Sequence, residues 1–358
     1  MAALTTNTVS NMTEPVNFVL MRGLLSAARK KCVWFNGTLP GTLEKSKGSS
    51  NVKWRRIENL TANTTALSEV TGTATAFMGR SLVQPSITDV TEAVLKYGNA
   101  IGVTEEVDLY NVNSKSAQLM DTLGANAGES LNKLMSQVFS AGASNYRFAG
   151  GVADDSAVTS AVSANDIKYC VNQLNRNSAM TFTPMGTGSQ NYNTNPIRSS
   201  YYGICHHDVE EDIRAISGFI PVEQYGGYTQ VEPFEFGAVN GVRWCATEIA
   251  TISTGASGLS NNALRMTGND VDVYSSFIYG KEAIGSVGLG NMHAKSAYEM
   301  YNPVKPPAVE LIYHAPGTSG VFDPYNEFGT IAWKAFFAGK VLNPNWIYHL
   351  RTGASSLA

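Results

Sequence analysis

The strongest pattern of hydrophobic and polar positions runs from Ser114 to Ala141. Apolar side chains recur there every three or four residues, at Leu119, Leu123, Ala127, Leu131, Leu134 and Val138. That spacing places them on one face of an α-helix. No proline interrupts the run, and at about 1.5 Å per residue the predicted helix is about 40 Å long. Because this is about twice the usual length, we expect the helix to be the spine of an extended molecule.

Glycines occupy three positions that matter for this helix. Gly142 stands where a C-terminal cap is expected. Gly124 and Gly128 lie four residues apart inside the helix, where glycine costs about 1 kcal/mol of helix propensity. They would leave a smooth strip against which another segment can lie close.

An alternating pattern precedes the helix. In Asn51–Ile57, Val52 and Trp54 share one face, and the basic residues between them share the other. A second strand is predicted within residues 86–97, after a polar stretch rich in Thr and Asn. Two strands separated in this way cannot bury a core of their own. The pattern therefore predicts a projecting hairpin that contacts another subunit.

Residues 163–314 alternate between strand-like and helix-like segments. Ser163 is expected to cap a helix that runs to Asn175. Tyr201–His206 is predicted to be a buried strand followed by a helix with an acidic first turn, and Asn240-Gly241 predicts a hairpin turn. This alternation favours an α/β region.

The last part of the chain is rich in aromatic and β-branched residues from 322 to 351. It predicts a long strand pair with a turn at residues 343–345.

Composition narrows the classes of protein. Charged residues make up 15% of the chain and the formal net charge is −3. Average soluble domains contain about 25% charged residues, so we expect other protein to cover much of the surface. A pI of about 6.0 argues against a dedicated nucleic-acid binder. The four cysteines form no CxxC pair, which is typical of free thiols in a reducing cytoplasm. From the distribution of hydrophobic residues along the chain we predict no signal peptide and no membrane-spanning segment.

One cluster contains residues typical of catalysis, Cys205-His206-His207-Asp208. Nucleophilic catalysis requires Cys and His side chains within hydrogen-bonding reach, but neighbouring side chains on a strand point to opposite faces. A metal site would need further ligands, and the spacing of the other histidines suggests none. We expect no enzyme, metal or cofactor. A hydrolase or metalloprotein centred on Cys205 is the catalytic alternative.

The run Lys53-Trp54-Arg55-Arg56 has two interpretations. Positive charge beside an aromatic ring can bind nucleic acid through charge and stacking. Trp and Arg are also enriched at protein–protein interfaces. We favour the interface.

Short motifs along the chain occur in an order that resembles the major capsid proteins of tailed phages. They are NVKWRR (51–56), ALSEV (66–70), KYG (96–98), LGANAGESL (123–131), HDVEEDIR (207–214), GVRW (241–244), DP (323–324) and GTIAWKAFF (329–337). The sequence is similar to the branch typified by the N-four-like podophage coat proteins, and the resemblance covers residues 45–351.

The resemblance implies an α+β, Hong Kong 97-type capsid fold. Its parts would be an N-terminal arm (1–37), an extended β-hairpin loop or E-loop (38–98), a peripheral domain with the spine helix at about 114–141 (99–162), an axial α/β domain (163–314) and returning peripheral strands (315–358). Loops near 183–200 and 253–269 are insertions relative to this pattern.

The implied function is that of a major capsid protein, which self-assembles into the icosahedral head shell around the double-stranded DNA of a tailed bacteriophage. Implied partners are other copies in hexamers and pentamers, the portal protein, scaffold and decoration proteins, and DNA held non-specifically. The protein would be made in the host bacterial cytoplasm, would end in the virion capsid, and would contact no membrane. An encapsulin-like nanocompartment shell is the alternative.

The resemblance also implies roles for individual residues. Those of the E-loop would contact a neighbouring subunit, and they are Lys53, Trp54, Arg55, Arg56 and Glu69. Gly124 and Gly128 would be the flex points of the spine helix.

Overall fold

The computed structural model describes residues 32–41, 50–58, 60–64, 84–106, 115–182, 199–224, 234–287, 309–314, 325 and 327–356. The strands are β1 (Leu39–Pro40), β2 (Asn51–Ile57), β3 (Ile87–Ala93), β4 (Leu95–Thr104), β5 (Tyr146–Phe148), β6 (Tyr201–His206), β7 (Ile220–Pro221), β8 (Glu235–Val239), β9 (Val242–Thr247), β10 (Ile252–Ser253), β11 (Met266–Thr267), β12 (Asp270–Val271), β13 (Val273–Tyr279), β14 (Ile284–Val287), β15 (Val309–His314), β16 (Phe328–Val341) and β17 (Ile347–Thr352). The main helices are α1 (Lys115–Gly142), α2 (Ala164–Arg176) and α3 (His207–Arg214).

The predicted spine helix is confirmed as α1, within one residue of the predicted bounds at each end. Its inner face is buried at every turn, through Met120, Leu123, Ala127, Leu131, Met135 and Phe139. Gly142 closes the helix as its last residue, and a Cβ there would overlap the side chain of Val341. Among the described residues, no helix combines the length and the apolar character needed to cross a bilayer.

β16 organises a five-stranded sheet. Residues 328–337 of this strand pair antiparallel with β4, and residues 330–335 pair with β15. The C-terminal end of β16 pairs with β14, which in turn pairs with β1. The inward positions of β16, including Ile331, Trp333 and Phe337, pack against α1. The long aromatic strand and the long helix therefore bury each other.

An eight-stranded sheet has the order β5-β17-β13-β6-β9-β8-β7, with β10 also paired to β13. Helices α2 and α3 lie on one face of this sheet, and α1 lies on the other. The predicted α/β elements are confirmed here. Ser163 caps α2 by accepting a hydrogen bond from the Asp166 backbone N–H, and Asn240 and Gly241 have φ angles of 52° and 81°, as a type I′ turn requires.

Strand pairing crosses the predicted division of the chain at 314/315. β14 and β15, expected in the α/β region, join the sheet of β16. β17 pairs with β13 in the other sheet, so the prediction that the two tail strands pair with each other was wrong. The turn was placed correctly, as a short helix at Pro344–Trp346. This short helix carries the chain from one sheet to the other. The prediction of the pair was wrong because alternation shows that a segment is a strand but does not identify its partner.

Of the two predicted insertions, the structure describes only the second in full. Residues 183–198 of the first lie outside the described part of the chain. The second, 253–269, packs against its own subunit: Leu264 is buried and forms a β-bridge with Ser355.

Part of the predicted N-terminal arm belongs to the core. Residues 1–31 are outside the described part, but Trp34 has no exposed surface. Its backbone N–H donates to Asn132 Oδ1 on α1 at 3.0 Å. Its indole ring lies edge-on to Phe139 at 4.9 Å and to Phe277 at 5.5 Å, measured between ring centroids. Trp34 therefore links α1 to the eight-stranded sheet.

We expect Trp34→Ala to lower the free energy of unfolding by about 3–5 kcal/mol, because it empties a fully buried site between α1 and β13. Equilibrium urea denaturation of the purified chain measures this. Tyr325→Ala is the control, since Tyr325 is 82% exposed and its loss should change stability by about 0.5 kcal/mol or less. Similar stabilities for the two variants would contradict the role of Trp34.

Candidate functional site

The predicted hairpin is present, and its first strand has the predicted bounds. β2 pairs antiparallel with β3 from Asn51 opposite Ala93 to Ile57 opposite Ile87. Side chains alternate between the faces of a hairpin. One face turns towards the body of the subunit, and the other turns towards solvent.

The solvent-facing side carries charge and exposed apolar surface. Lys53 Nζ and Arg55 Nε contact the two oxygens of Asp89 at 2.5 and 2.9 Å. Hydrogen bonds from Arg55 and then Lys53 lower the pKa of Asp89 to about 2, so two cations surround one ionised carboxylate. Ile57 and Ile87, paired beside them, are 63% and 52% exposed. We call these five residues the hairpin outer face.

The inner face packs on its own subunit. Trp54 is only 7% exposed and lies in a cluster with Val52, Val287 and Leu342. Arg56 Nη1 donates to the carbonyl oxygen of Leu342 at 2.9 Å.

The predicted contact run is therefore divided by the period of the strand. Lys53 and Arg55 face outwards, whereas Trp54 and Arg56 also contact their own chain. Glu69 lies outside the described residues. The intersubunit roles of Lys53, Trp54, Arg55 and Arg56 stay predictions.

A second exposed patch lies at the far end of β4 and β16, where Thr104 pairs with Phe328. We call it the acidic end patch, and its members are Glu105, Glu106, Tyr325, Glu327 and Phe328, all of them exposed. The three carboxylates form no ion pair within the described part of the chain. Tyr325 and Glu327 join Glu105 and Glu106 only through the β4–β16 pairing, which local sequence patterns do not reveal.

The two patches occupy opposite ends of one continuous ribbon. β3 and β4 are separated only by Val94, and the ribbon runs from Ile87 in the hairpin outer face to Thr104 beside the acidic end patch. At about 3.3 Å per residue, the patches can be about 60 Å apart. The hairpin outer face and the acidic end patch therefore lie at opposite ends of the segment formed by β3 and β4.

The spine glycines provide close packing. Gly124 and Gly128 are buried, and the carbonyl oxygen of Gly128 accepts a weak hydrogen bond from Cys32 Sγ at 3.8 Å. Cys32 thus lies close to the predicted smooth strip at Gly128. The role of the two glycines as flex points stays a prediction.

The geometry around Cys205 argues against nucleophilic catalysis. Its thiol is fully buried and donates to the carbonyl oxygen of Cys245 at 3.7 Å. Burial raises the pKa of this thiol well above its ordinary value, so it stays protonated, and the thiolate is the reactive form. His206 Nδ1 instead accepts from the Asp208 backbone N–H at the start of α3. Among the described residues, no three His, Cys, Asp or Glu side chains converge as metal ligands.

His349 is a buried titratable group in β17. Its ring stacks on Phe277 with centroids 4.2 Å apart, and neither ring nitrogen has a hydrogen-bond partner in the described structure. Burial and then the nearby Arg351 guanidinium lower its pKa from 6.5 to about 3. The folded subunit therefore holds the neutral imidazole.

This shift predicts acid sensitivity. Below the ordinary pKa of 6.5 the unfolded chain binds a proton that the folded chain takes up only near pH 3. The stability is fully present above pH 6.5 and falls as the pH drops, by up to about 1.4 kcal/mol per pH unit. His349→Gln should reduce the slope of unfolding free energy against pH between 6 and 4 by this amount. His207→Gln is the exposed control, and equal slopes in the two variants would refute the assignment.

Comparison with known proteins identifies the fold. No family model and no curated protein matches the sequence. The structure is similar to the capsid of Ralstonia phage GP4, with 10% identity over 92% of this chain and 93% of that chain and a TM-score of 0.66. It is also similar to the cyanophage Pam1 capsid, with 10% identity over 91% and 93% of the two chains and a TM-score of 0.54.

A third similar structure is the head of Helicobacter pylori bacteriophage KHP40, with 10% identity over 88% of this chain and 86% of that chain and a TM-score of 0.52. Identities this low show a shared fold alone. The chain therefore has the α+β, Hong Kong 97-type fold of tailed-phage capsid proteins, as the sequence motifs predicted.

Proposed function

We propose that this chain is a major capsid protein, which assembles as hexamers and pentamers into the icosahedral head shell of a tailed bacteriophage. The observation that carries the proposal is the fold, which extends over about nine-tenths of both this chain and a phage capsid subunit. A structural role also agrees with the inert, buried environment of Cys205.

The finer assignments extend this proposal. The sequence motifs support the N-four-like podophage branch. The shell would enclose double-stranded DNA and bind a portal protein, with scaffold and decoration proteins as further candidates, after synthesis in the host cytoplasm. The hairpin would be the E-loop, the sheet of β16 with α1 the peripheral domain, and the sheet of β13 the axial domain. Gly124 and Gly128 would let α1 bend as the shell expands.

The hairpin outer face would contact the acidic end patch of the next subunit. Two cations around one carboxylate leave the first patch net positive, whereas the second carries three carboxylates. Exposed ion pairs contribute little affinity, but they fix register and exclude wrong partners. The apolar part of this contact would come from Ile57 and Ile87 of one subunit, which would pack against Phe328 and Tyr325 of the next. Because the patches differ and lie at opposite ends of the ribbon, the contact is head-to-tail and can close into rings.

Negative-stain electron microscopy of particles purified from cells that make the chain tests the function. We expect closed shells of uniform diameter, and in the virus these shells should contain nuclease-protected DNA. Shells filled with protein cargo would instead support the encapsulin-like alternative. Soluble subunits that never close into shells, alone or with the other head proteins of the phage, would refute both.

A cross-linking experiment tests the head-to-tail contact. In the double variant Ile57→Cys with Glu106→Cys, a short bismaleimide should link successive subunits into a ladder of dimers, trimers and higher multimers. Each single variant should give no more product than the wild type, in which Cys32 is partly exposed. Intact shells without a ladder would refute this contact alone. Dimers from either single variant would indicate a symmetric contact instead.

A further inference from the structure

The indole of Trp54 occupies a notch formed by two glycines from other parts of the chain. A Cβ at Gly285 would lie 2.7 Å from Trp54 Cε2, and a Cβ at Gly41 would lie 2.6 Å from Cζ2. Both distances are shorter than real Cβ contacts allow. Neither glycine is among those with positive φ, so the backbone conformation does not require glycine there. The space taken by the indole does.

The notch belongs to the edge of the five-stranded sheet. Gly285 lies in β14, opposite Leu39 of β1, and the backbone N–H of Gly41 donates to the carbonyl oxygen of Ser286 at 2.8 Å. Trp54 comes from the hairpin strand β2. Trp54 in its glycine notch therefore joins the hairpin to the body of its own subunit. We call this contact the wedge.

Val52 is buried in the same cluster as Trp54, but the polar contacts between the hairpin and the body are weak or exposed. Lys340 Nζ and the Glu92 carboxylate are 2.8 Å apart, but both side chains are exposed by about a third or more, and such pairs contribute little. Arg56 adds one hydrogen bond to Leu342. Trp54 Nε1 is buried and forms no hydrogen bond within the described structure, so shape alone holds the ring.

We infer that Trp54 is a positioning residue that fixes the angle at which the hairpin leaves its subunit. The inference rests on the proposed function, because that angle decides where the hairpin outer face meets the neighbouring copy. An isolated two-stranded hairpin is marginally stable. Without the wedge, it would pivot about its connections to the body at Ser50 and Val94 and would fray.

Gly285→Ala tests the inference, because the three atoms nearest to the added methyl all belong to the Trp54 indole. We expect trypsin to cleave the soluble subunit after Arg55 and Arg56 about tenfold faster, since cleavage follows the open population. We also expect closed shells to give way to particles of irregular curvature. Gly102→Ala is the matched control in β4, where an added Cβ meets nothing within 4 Å. It should behave as the wild type.

The double variant Gly285→Ala with Trp54→Phe should restore slow cleavage and regular shells, because the smaller ring leaves room for the methyl. Trp54→Ala removes the wedge without adding atoms and should reproduce the effect of Gly285→Ala. It therefore tests the inference even if Gly285→Ala folds poorly. Fast cleavage with normal shells, or no rescue by Trp54→Phe, would overturn the inference. If the wild type forms no shells, the proposed function fails, while the cleavage rates still show whether the wedge holds the hairpin.

Discussion

The structure depends on the burial of one face of α1 against two sheets at once. Leu131 and Phe139 pack with Trp333 of β16 and with Phe277 of β13 in a single apolar cluster. A break in this packing would expose both sheets, because each uses α1 as its cover. Trp34 completes the cluster from the N-terminal side. The helix is therefore long because it covers two sheets, and its length is a property of the core.

Strands of the eight-stranded sheet are continuous apolar runs because both faces of this sheet are covered. Along β13, Phe277 and Tyr279 face the α1 cluster, whereas Ile278 faces the cluster of α2 and α3. A strand covered on both faces has no solvent-facing positions to interrupt its apolar character. Alternation is visible instead in β2, where only one face is covered. The same periodicity thus divides the hairpin into an anchor, Trp54, and an exposed face.

Much of the fold and part of the candidate site could be predicted locally. The bounds of α1 and β2, the Ser163 cap and the Asn240-Gly241 turn all depend on residues close together in the sequence. The placement of Trp54 and Lys53 on opposite faces of β2 was also visible in the alternation. The glycine notch of Trp54 was not, because Gly41 and Gly285 are far apart in the sequence and have ordinary φ angles.

The sequence by itself determined which segments are helices and strands, which face of each is apolar, and, through its ordered motifs, the capsid-type fold. Only the tertiary structure decided which strands pair: β17 pairs with β13 and not with β16. It also decided that Val33 and Trp34 are part of the core. It also assembled the acidic end patch from Glu105 and Glu327. The physical reason is that periodicity reports the environment of each side chain, whereas pairing depends on loop closure and shape complementarity between distant segments.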